Sequence, residues 1–319
     1  VSIKFFKQKF NFFSVENKSL FTLKVKTILF VVDMIKIKLG DKDINVTNDT
    51  IRIASIDVGS VNFAQYIGDT DILKTIELAK RYAALPKTKQ RRVKGKMNDE
   101  IKEILDEVCL AGKRVETGVF NFRGEESVKL DMETRRNAIL HLRKYKDVWD
   151  MCDVFVIEQQ YFRTFKPKGG KGGGTEANVD AIKMGELVCG WFLDHYPTKT
   201  VMYFNSTFKT QIMGAPNGLT KPQRKKWAVE KTREIYELRK DEEMIEIFLL
   251  KDRLFRKRIP NEEKIQFYLD TFPGVQEDTK RLAKQMIQIR SEDRQKLDDI
   301  ADALVQCMAF IFKYLVAVF

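Results

Sequence analysis

Histidine and cysteine are scarce in this chain, and their scarcity removes whole classes of chemistry. Its 319 residues include two histidines, His141 and His195, and four cysteines. Two imidazoles leave almost no material for a histidine-based zinc site or a serine-histidine-aspartate triad. Cys109, Cys152, Cys189 and Cys307 lie far apart, so there is no Cys-x-x-Cys knuckle and no disulfide framework is expected. An intracellular setting follows, and any metal must sit on carboxylates. Long apolar runs are missing too. Leu20 to Val32 is interrupted by Lys24 and Lys26, and Leu304 to Phe319 is broken by Gln306 and Lys313. The second reads as a buried helix, and neither as a membrane span. The Lys- and Phe-rich stretch ahead of Met34, opening on Val1, reads as sequence upstream of a true start. A targeting peptide is the other reading, although no small-residue cleavage site follows it.

What is present in excess is positive charge. Lys and Arg number 57 against 45 Asp and Glu, a formal net charge of +12. Such a balance favours a polyanionic partner, because neutralising phosphates releases counterions. With 44% hydrophobic residues the chain can bury one large core with insertions.

Along the chain, Ile51 to Asp57 and Val61 to Ile67 are apolar, β-branched runs joined through Val58-Gly59-Ser60, which predicts a hairpin. Asp71 to Leu110 turns helical and charged, with a break at Pro86 and a basic run from Lys87 to Lys96. A third strand is expected within Val119 to Leu130 and a helix over Met132 to Trp149. Val154 to Ile157 is a short buried strand ending at Glu158, followed by a basic, glycine-crowded loop from Lys166 to Gly174. A helix from Glu176 to His195, a strand from Lys199 to Phe204, a charged helical region from Lys221 to Ile289 and a last helix from Glu292 complete the order. The expected architecture is α/β. A mixed five-stranded sheet is flanked by helices in the manner of RNase H-like folds, with two largely helical insertions at about 72–115 and 235–290. Residues 1–50 form an N-terminal extension and 51–319 the domain.

Several acids stand where elements end. Asp57 closes the first strand and is followed by Gly59, which allows a phosphate or metal to approach the backbone. An acid opening a hairpin turn is the plainer alternative. Glu158 ends a buried strand, where an unpaired charge is costly. In Asp298-Asp299-Ile300-Ala301-Asp302, Asp299 and Asp302 share one helical face. Asp298 is a plausible helix cap, and a capping role for the whole segment remains open. Taken together, two strand-end acids and a helical Asp-x-x-Asp can converge on divalent ions, since carboxylate oxygens are the hard donors that Mg²⁺ or Mn²⁺ prefers. Two ions about 3.5 to 4 Å apart can activate water on one side of a phosphodiester and stabilise the leaving oxygen on the other.

At these residues the sequence resembles the RuvC-like Holliday junction resolvases. Ile56-Asp57-Val58-Gly59-Ser60-Val61-Asn62-Phe63-Ala64 resembles the first-strand aspartate and its hairpin, and Val156-Ile157-Glu158-Gln159-Gln160-Tyr161-Phe162 the catalytic glutamate segment. Asn178 to Gly185 is similar to the helix that follows. Phe208-Lys209-Thr210, Gly214 and Lys221-Pro222-Gln223 are similar to the basic DNA-facing segment, and Asp298 to Leu304 to the terminal Asp-x-x-Asp helix. The resemblance spans most of residues 51–318 apart from the insertions, and also suits the resolvases of poxviruses and related large DNA viruses. It implies a metal-dependent endonuclease for four-way and other branched DNA, acting as a homodimer, with no membrane and no small-molecule cofactor. Asp57, Glu158, Asp299 and Asp302 are then catalytic and bind Mg²⁺, or Mn²⁺ as its substitute, with two ions per site. Asp298 replaces Asp299 if the register slips by one. Lys209 and Lys221 are placed near the scissile phosphate or backbone.

Other residues point the same way less specifically. Lys168 and Lys171, in the glycine-rich loop after Glu158, would lie beside DNA, but the loop lacks the GxxxxGK[ST] order of a nucleotide site. Tyr161 and Phe162 could stack on an exposed base or simply pack in the core. Competing readings are a RuvC-like nuclease of a mobile element, which would usually bring zinc-binding cysteine pairs, and an actin-like kinase or ATPase reading Asp57-Val58-Gly59-Ser60 as a phosphate hairpin. The latter leaves Glu158 and the Asp-x-x-Asp helix unexplained. A catalytically dead DNA-binding protein is the third.

Overall fold

The computed structural model describes residues 35–39, 42–46, 49–59, 62–90, 97–123, 130–160, 163–164, 175–176, 179–248 and 296–317. The core strand β3 (Thr50–Val58) is buried along most of its length, as its sequence TIRIASIDV demands of a central strand covered on both faces. It pairs antiparallel with β4 (Asn62–Asp71), and β4 pairs antiparallel with β5 (Gly112–Asn121). On its other side β3 pairs parallel with β6 (Val154–Gln159), which pairs parallel with β9 (Thr200–Asn205). The sheet order is therefore β5-β4-β3-β6-β9, the mixed five-stranded sheet of an α/β RNase H-like fold. Two small hairpins stand apart from it, β1 (Ile35–Leu39) with β2 (Lys42–Val46), and β7 (Arg163–Thr164) with β8 (Thr175–Glu176). The β1–β2 hairpin falls in the stretch expected only as an extension.

Helices cover both faces. α1 (Ile72–Ala84) and α2 (Asp99–Leu110) follow β4, each opened by a side chain that accepts from an early backbone N–H: Asp71 from Lys74 and Asn98 from Glu100. α3 (Met132–Lys144) is capped by Asp131 in the same way and is followed by the short α4 (Lys146–Asp150). α5 (Val179–His195) leads to β9, and α6 (Ser206–Ile212) follows that strand directly. α7 (Lys221–Arg239) starts on a capping box between Thr220 and Gln223 with Pro222 in its first turn. α8 (Lys296–Phe310) continues into a π-helical turn, Ile311–Val316.

The alternation along the strands divides the core. Ile51, Ile53, Val154, Val156 and Phe204 face α8, α7, α1 and α2, whereas Ala54, Ile56, Val58, Phe155 and Ile157 face α3 and α5. The second layer is aromatic, with Trp149, Phe155 and Phe192 in mutual contact and Phe155 stacked on Phe192 at 4.2 Å. Arg52 of β3 makes paired contacts at 2.6 and 2.8 Å to Asp69, its register partner on β4. All four cysteines are buried and free. Among the described residues no helix is long and apolar enough to cross a membrane.

Three boundaries differ from expectation. The third strand begins at Gly112 and ends at Asn121, not within 119–130, because edge pairing with β4 carries residues of weak β preference such as Gly112, Lys113 and Gly118 into the ladder. The interval 72–115 thus holds α1, α2 and the start of a sheet strand. The helix expected over 132–149 divides at Tyr145, where Trp149 turns its indole N–H onto the Leu142 carbonyl at 2.9 Å. The helix after Glu158 begins at Val179, with Glu176 in β8. The predicted basic run is described only to Gln90, and most of the 235–290 insertion lies outside the described residues, as does Glu292.

Candidate active site

Parallel pairing of β3 with β6 matches Ile56 to Ile157, so Asp57 and Glu158, the next residue on each strand, stand side by side at the same end of the sheet. Alternation turns both toward the α8 face, together with Ser55 and Phe204. Glu158 is only 7% exposed. α8 crosses above this pair and brings Asp302. One turn further along α8, the buried Gln306 amide nitrogen donates to Ser55 Oγ, the Ile56 carbonyl and the Val156 carbonyl, each at 3.2 Å. Those contacts pin the helix over the junction of β3 and β6, and so set where Asp302 lies. No sequence signal in a lone glutamine within an apolar helix announces this role.

The fourth member is Lys209, on α6 just past β9. It is 4% exposed, and its Nζ lies 3.2 Å from Glu158 Oε1 and 3.2 Å from Asp302 Oδ1. Burial alone would push its ammonium toward losing the proton. The charges of Asp302, Glu158 and Asp57 outweigh that and hold it firmly protonated. Asp57 is pushed well above the usual carboxylate range, first by burial and then by the Glu158 charge beside it, with Lys209 pulling the other way. Asp302 is raised for the same first reason, against the pull of Lys209. Asp57, Glu158 and Asp302 are thus coupled through one ammonium.

The other acids of α8 divide their work. Asp298 is buried and ion-paired with Lys225 of α7. Asp299 is half-buried and lies close enough to add to the field that holds the Lys225 proton, after burial and Asp298. Lys221, exposed at the start of α7, is one turn before Lys225 and shares its helix face. Of the residues singled out from sequence, Asp57, Glu158, Asp302 and Lys209 meet in one cluster, with Asp298 and Asp299 at its border. Tyr161, Phe162, Lys168 and Lys171 lie outside the described residues. Lys225 and Gln306 were not anticipated. For Lys225 a signal existed, since Lys221 and Lys225 fall four apart on one helix.

The cluster's donors are of the type a hard divalent cation takes. Among the described residues, though, no group of three or more acids, histidines or cysteines is spaced to hold a metal ion. The carboxylates are closed on the Lys209 ammonium instead. The donor chemistry fits a metal; the side-chain arrangement fits the internal cation.

No family model matches the chain. It is 31% identical over 172 residues to "Uncharacterized protein 170L" of Invertebrate iridescent virus 6, covering 53% of this chain and 60% of that protein. It is 32% identical over 87 residues to "Uncharacterized protein 97L" of Invertebrate iridescent virus 3, covering 27% of this chain and 36% of that one. The chain therefore spans less than two thirds of the length of these relatives. Among solved structures, Thermus thermophilus RuvC in complex with a Holliday junction substrate aligns with 84% of this chain and 98% of its own at 9% identity, with a TM-score of 0.33. Thermus thermophilus RuvC alone aligns over 58% and 80% at 10% identity, with a TM-score of 0.31.

Proposed function

We propose that the chain is a metal-dependent endonuclease that nicks branched DNA, four-way junctions above all. The observation that carries this reading is the meeting of Asp57, Glu158 and Asp302 around Lys209 at one end of the β3–β6 pair. Buried like charges repel, and the fold keeps them together at a cost that a purely structural role does not explain. The sequence resemblance to RuvC-like resolvases runs through these same residues, and the net charge of +12 suits a polyanion.

Asp57, Glu158 and Asp302, with Asp299 beside them, would hold Mg²⁺ or Mn²⁺. When bound, the ion would supply Lewis acidity and an activated water at neutral pH. The residues of the chain do the rest. Lys209 offers an ammonium to the charge that builds on the phosphate during cleavage. Lys221 and Lys225 extend the cationic face along α7. A homodimer would present two such sites to the two continuous strands of a junction, giving paired nicks.

The test is incubation of the purified chain with a labelled four-way junction and a matched linear duplex, in Mg²⁺, Mn²⁺ or EDTA, beside Glu158→Gln. Metal-dependent paired nicks in the junction alone, lost in the variant, are expected. Equal cutting of both substrates would remove the junction preference, and no cutting in any metal would overturn the nuclease reading.

A further inference from the structure

Next to the carboxylate cluster lies an aromatic surface that the site as described does not use. Strand register places Phe204 directly beside Glu158, on the same face of the sheet. From there the surface runs outward through Phe208 on α6 and Tyr314 on the π-helical turn. Lys313 gathers these rings. Its Nζ lies 5.6 Å from the Phe204 ring centre, 5.3 Å from that of Phe208 and 4.9 Å from that of Tyr314. Each distance is within the range at which a ring face attracts a cation. Among the described residues no carboxylate is within ion-pair distance of Lys313, and these three rings are the groups that face its ammonium.

The members are not equally buried. Phe204 is packed in the core, but Phe208 is 45% exposed, one residue ahead of Lys209. An exposed phenylalanine adjoining a lysine that faces aromatic rings is a poor way to finish a surface and a good way to hold a nucleotide. The ring offers a stacking face to a base of any sequence, and the ammonium a contact for its phosphate. The π-helical turn supports this, because such turns are rare and occur often at functional sites. It is this turn that carries Lys313 and Tyr314.

From the placement of these groups we infer that Phe208, Tyr314 and Lys313 form a binding site for one unstacked nucleotide next to the scissile position. The inference rests on the nuclease reading and deepens it. A base freed at a branch point stacks on Phe208, and its phosphate is held by Lys313. Such a site selects DNA with unpaired or readily unstacked bases over continuous duplex, since only the former presents a free face without the cost of unstacking.

The experiment uses the full chain and a four-way junction carrying 2-aminopurine at the branch point, with binding read by anisotropy and stacking by fluorescence in EDTA, and cleavage measured separately in Mg²⁺. Phe208→Ala is expected to weaken junction binding about tenfold and to remove the 2-aminopurine quench. Phe208→Trp restores both, which a merely structural role would not. Lys313→Gln is expected to weaken binding and lower the salt dependence by about one phosphate contact. If the wild-type chain binds and cuts the junction but Phe208→Ala and Lys313→Gln bind and quench as it does, the nucleotide site is overturned while the nuclease reading stands. If the wild-type chain neither binds nor cuts junctions, both fall.

Discussion

Replacing Lys209 by methionine keeps the length of the side chain and removes its charge, which isolates what the ammonium does. In the folded protein that charge lies 3.2 Å from both Glu158 and Asp302, with little solvent access to any of the three. Removing one partner from a buried ion pair costs about 3 to 5 kcal/mol, because the remaining charge is left uncompensated. For a domain of this size that lowers the melting temperature by roughly 10 °C. The penalty has a pH signature. Burial already lifts Asp57 and Asp302 above their unfolded values, so their contribution to stability is present in acid and lost as pH rises through the raised values. Without Lys209 both carboxyls rise further, so the deficit of the variant is smallest in acid and grows as pH rises. It also has a metal signature. In Mn²⁺ or Mg²⁺ the variant should recover more melting temperature than the wild type does, since a divalent ion no longer competes with an internal cation. Thermal denaturation in EDTA and in metal, across pH, measures all of this. A variant that melts with the wild type in EDTA at pH 7.5 would refute the idea that Lys209 holds the cluster together.

The remaining expectations are independent of that one. Asp57→Asn, Glu158→Gln and Asp302→Asn should each abolish junction cleavage while leaving junction binding within a few-fold of wild type, as gel shifts in EDTA would show. Gln306→Leu removes the amide that ties α8 to β3 and β6, and should cost about 1 to 3 kcal/mol in urea denaturation together with a loss of cleavage. His141, buried against Phe63, Phe120 and Phe122 with its Nε2 3.1 Å from Gln65 Oε1, is held down to about 4 by burial first and by Lys144 second. Folding therefore favours its neutral form. The stability this contributes is complete above its unfolded value of about 6.5. It is lost as pH falls toward 4, up to about 3 kcal/mol in all. His141→Phe should flatten that part of the pH profile in denaturation experiments, and an unchanged profile would exclude the histidine as its source.

The acids were legible because of where elements end. An acid after a buried β-branched run has few places to go, and that argument singles out Asp57 and Glu158 without any knowledge of register. The register that makes them neighbours is a property of the β3–β6 pairing, which neither segment specifies alone. Lys209 was visible only as a basic residue in a DNA-facing segment. Its burial follows from α6 starting directly on the end of β9, a junction the sequence does not mark with a glycine or proline. Edge strand β5 was misplaced because its partner, not its own composition, makes it a strand. The π-helical turn after Phe310 continues an apolar pattern that reads equally well as ordinary helix.

The two faces of the sheet carry different burdens, and this division explains how a cluster of buried acids is tolerated. The α3 and α5 face is an aromatic and aliphatic layer in which the buried His141 and Gln65 pair with each other. It can supply stability without serving chemistry. The opposite face must hold Asp57, Glu158 and Asp302 against their mutual repulsion, and it does so through α8. Around its acids and the buried Gln306 that helix is packed with apolar side chains: Ile300, Ala301, Leu304, Val305, Met308 and Phe310 are all buried. A helix so thoroughly embedded cannot drift outward to relieve the repulsion without exposing its whole length. The charge strain is therefore borne locally, by the Lys209 ammonium, rather than by movement of the scaffold. It follows that substitutions along the buried flank of α8, such as Leu304→Ala, should disturb the carboxylate geometry only when they lower global stability. Changes at Lys209 should alter the site while the sheet remains intact.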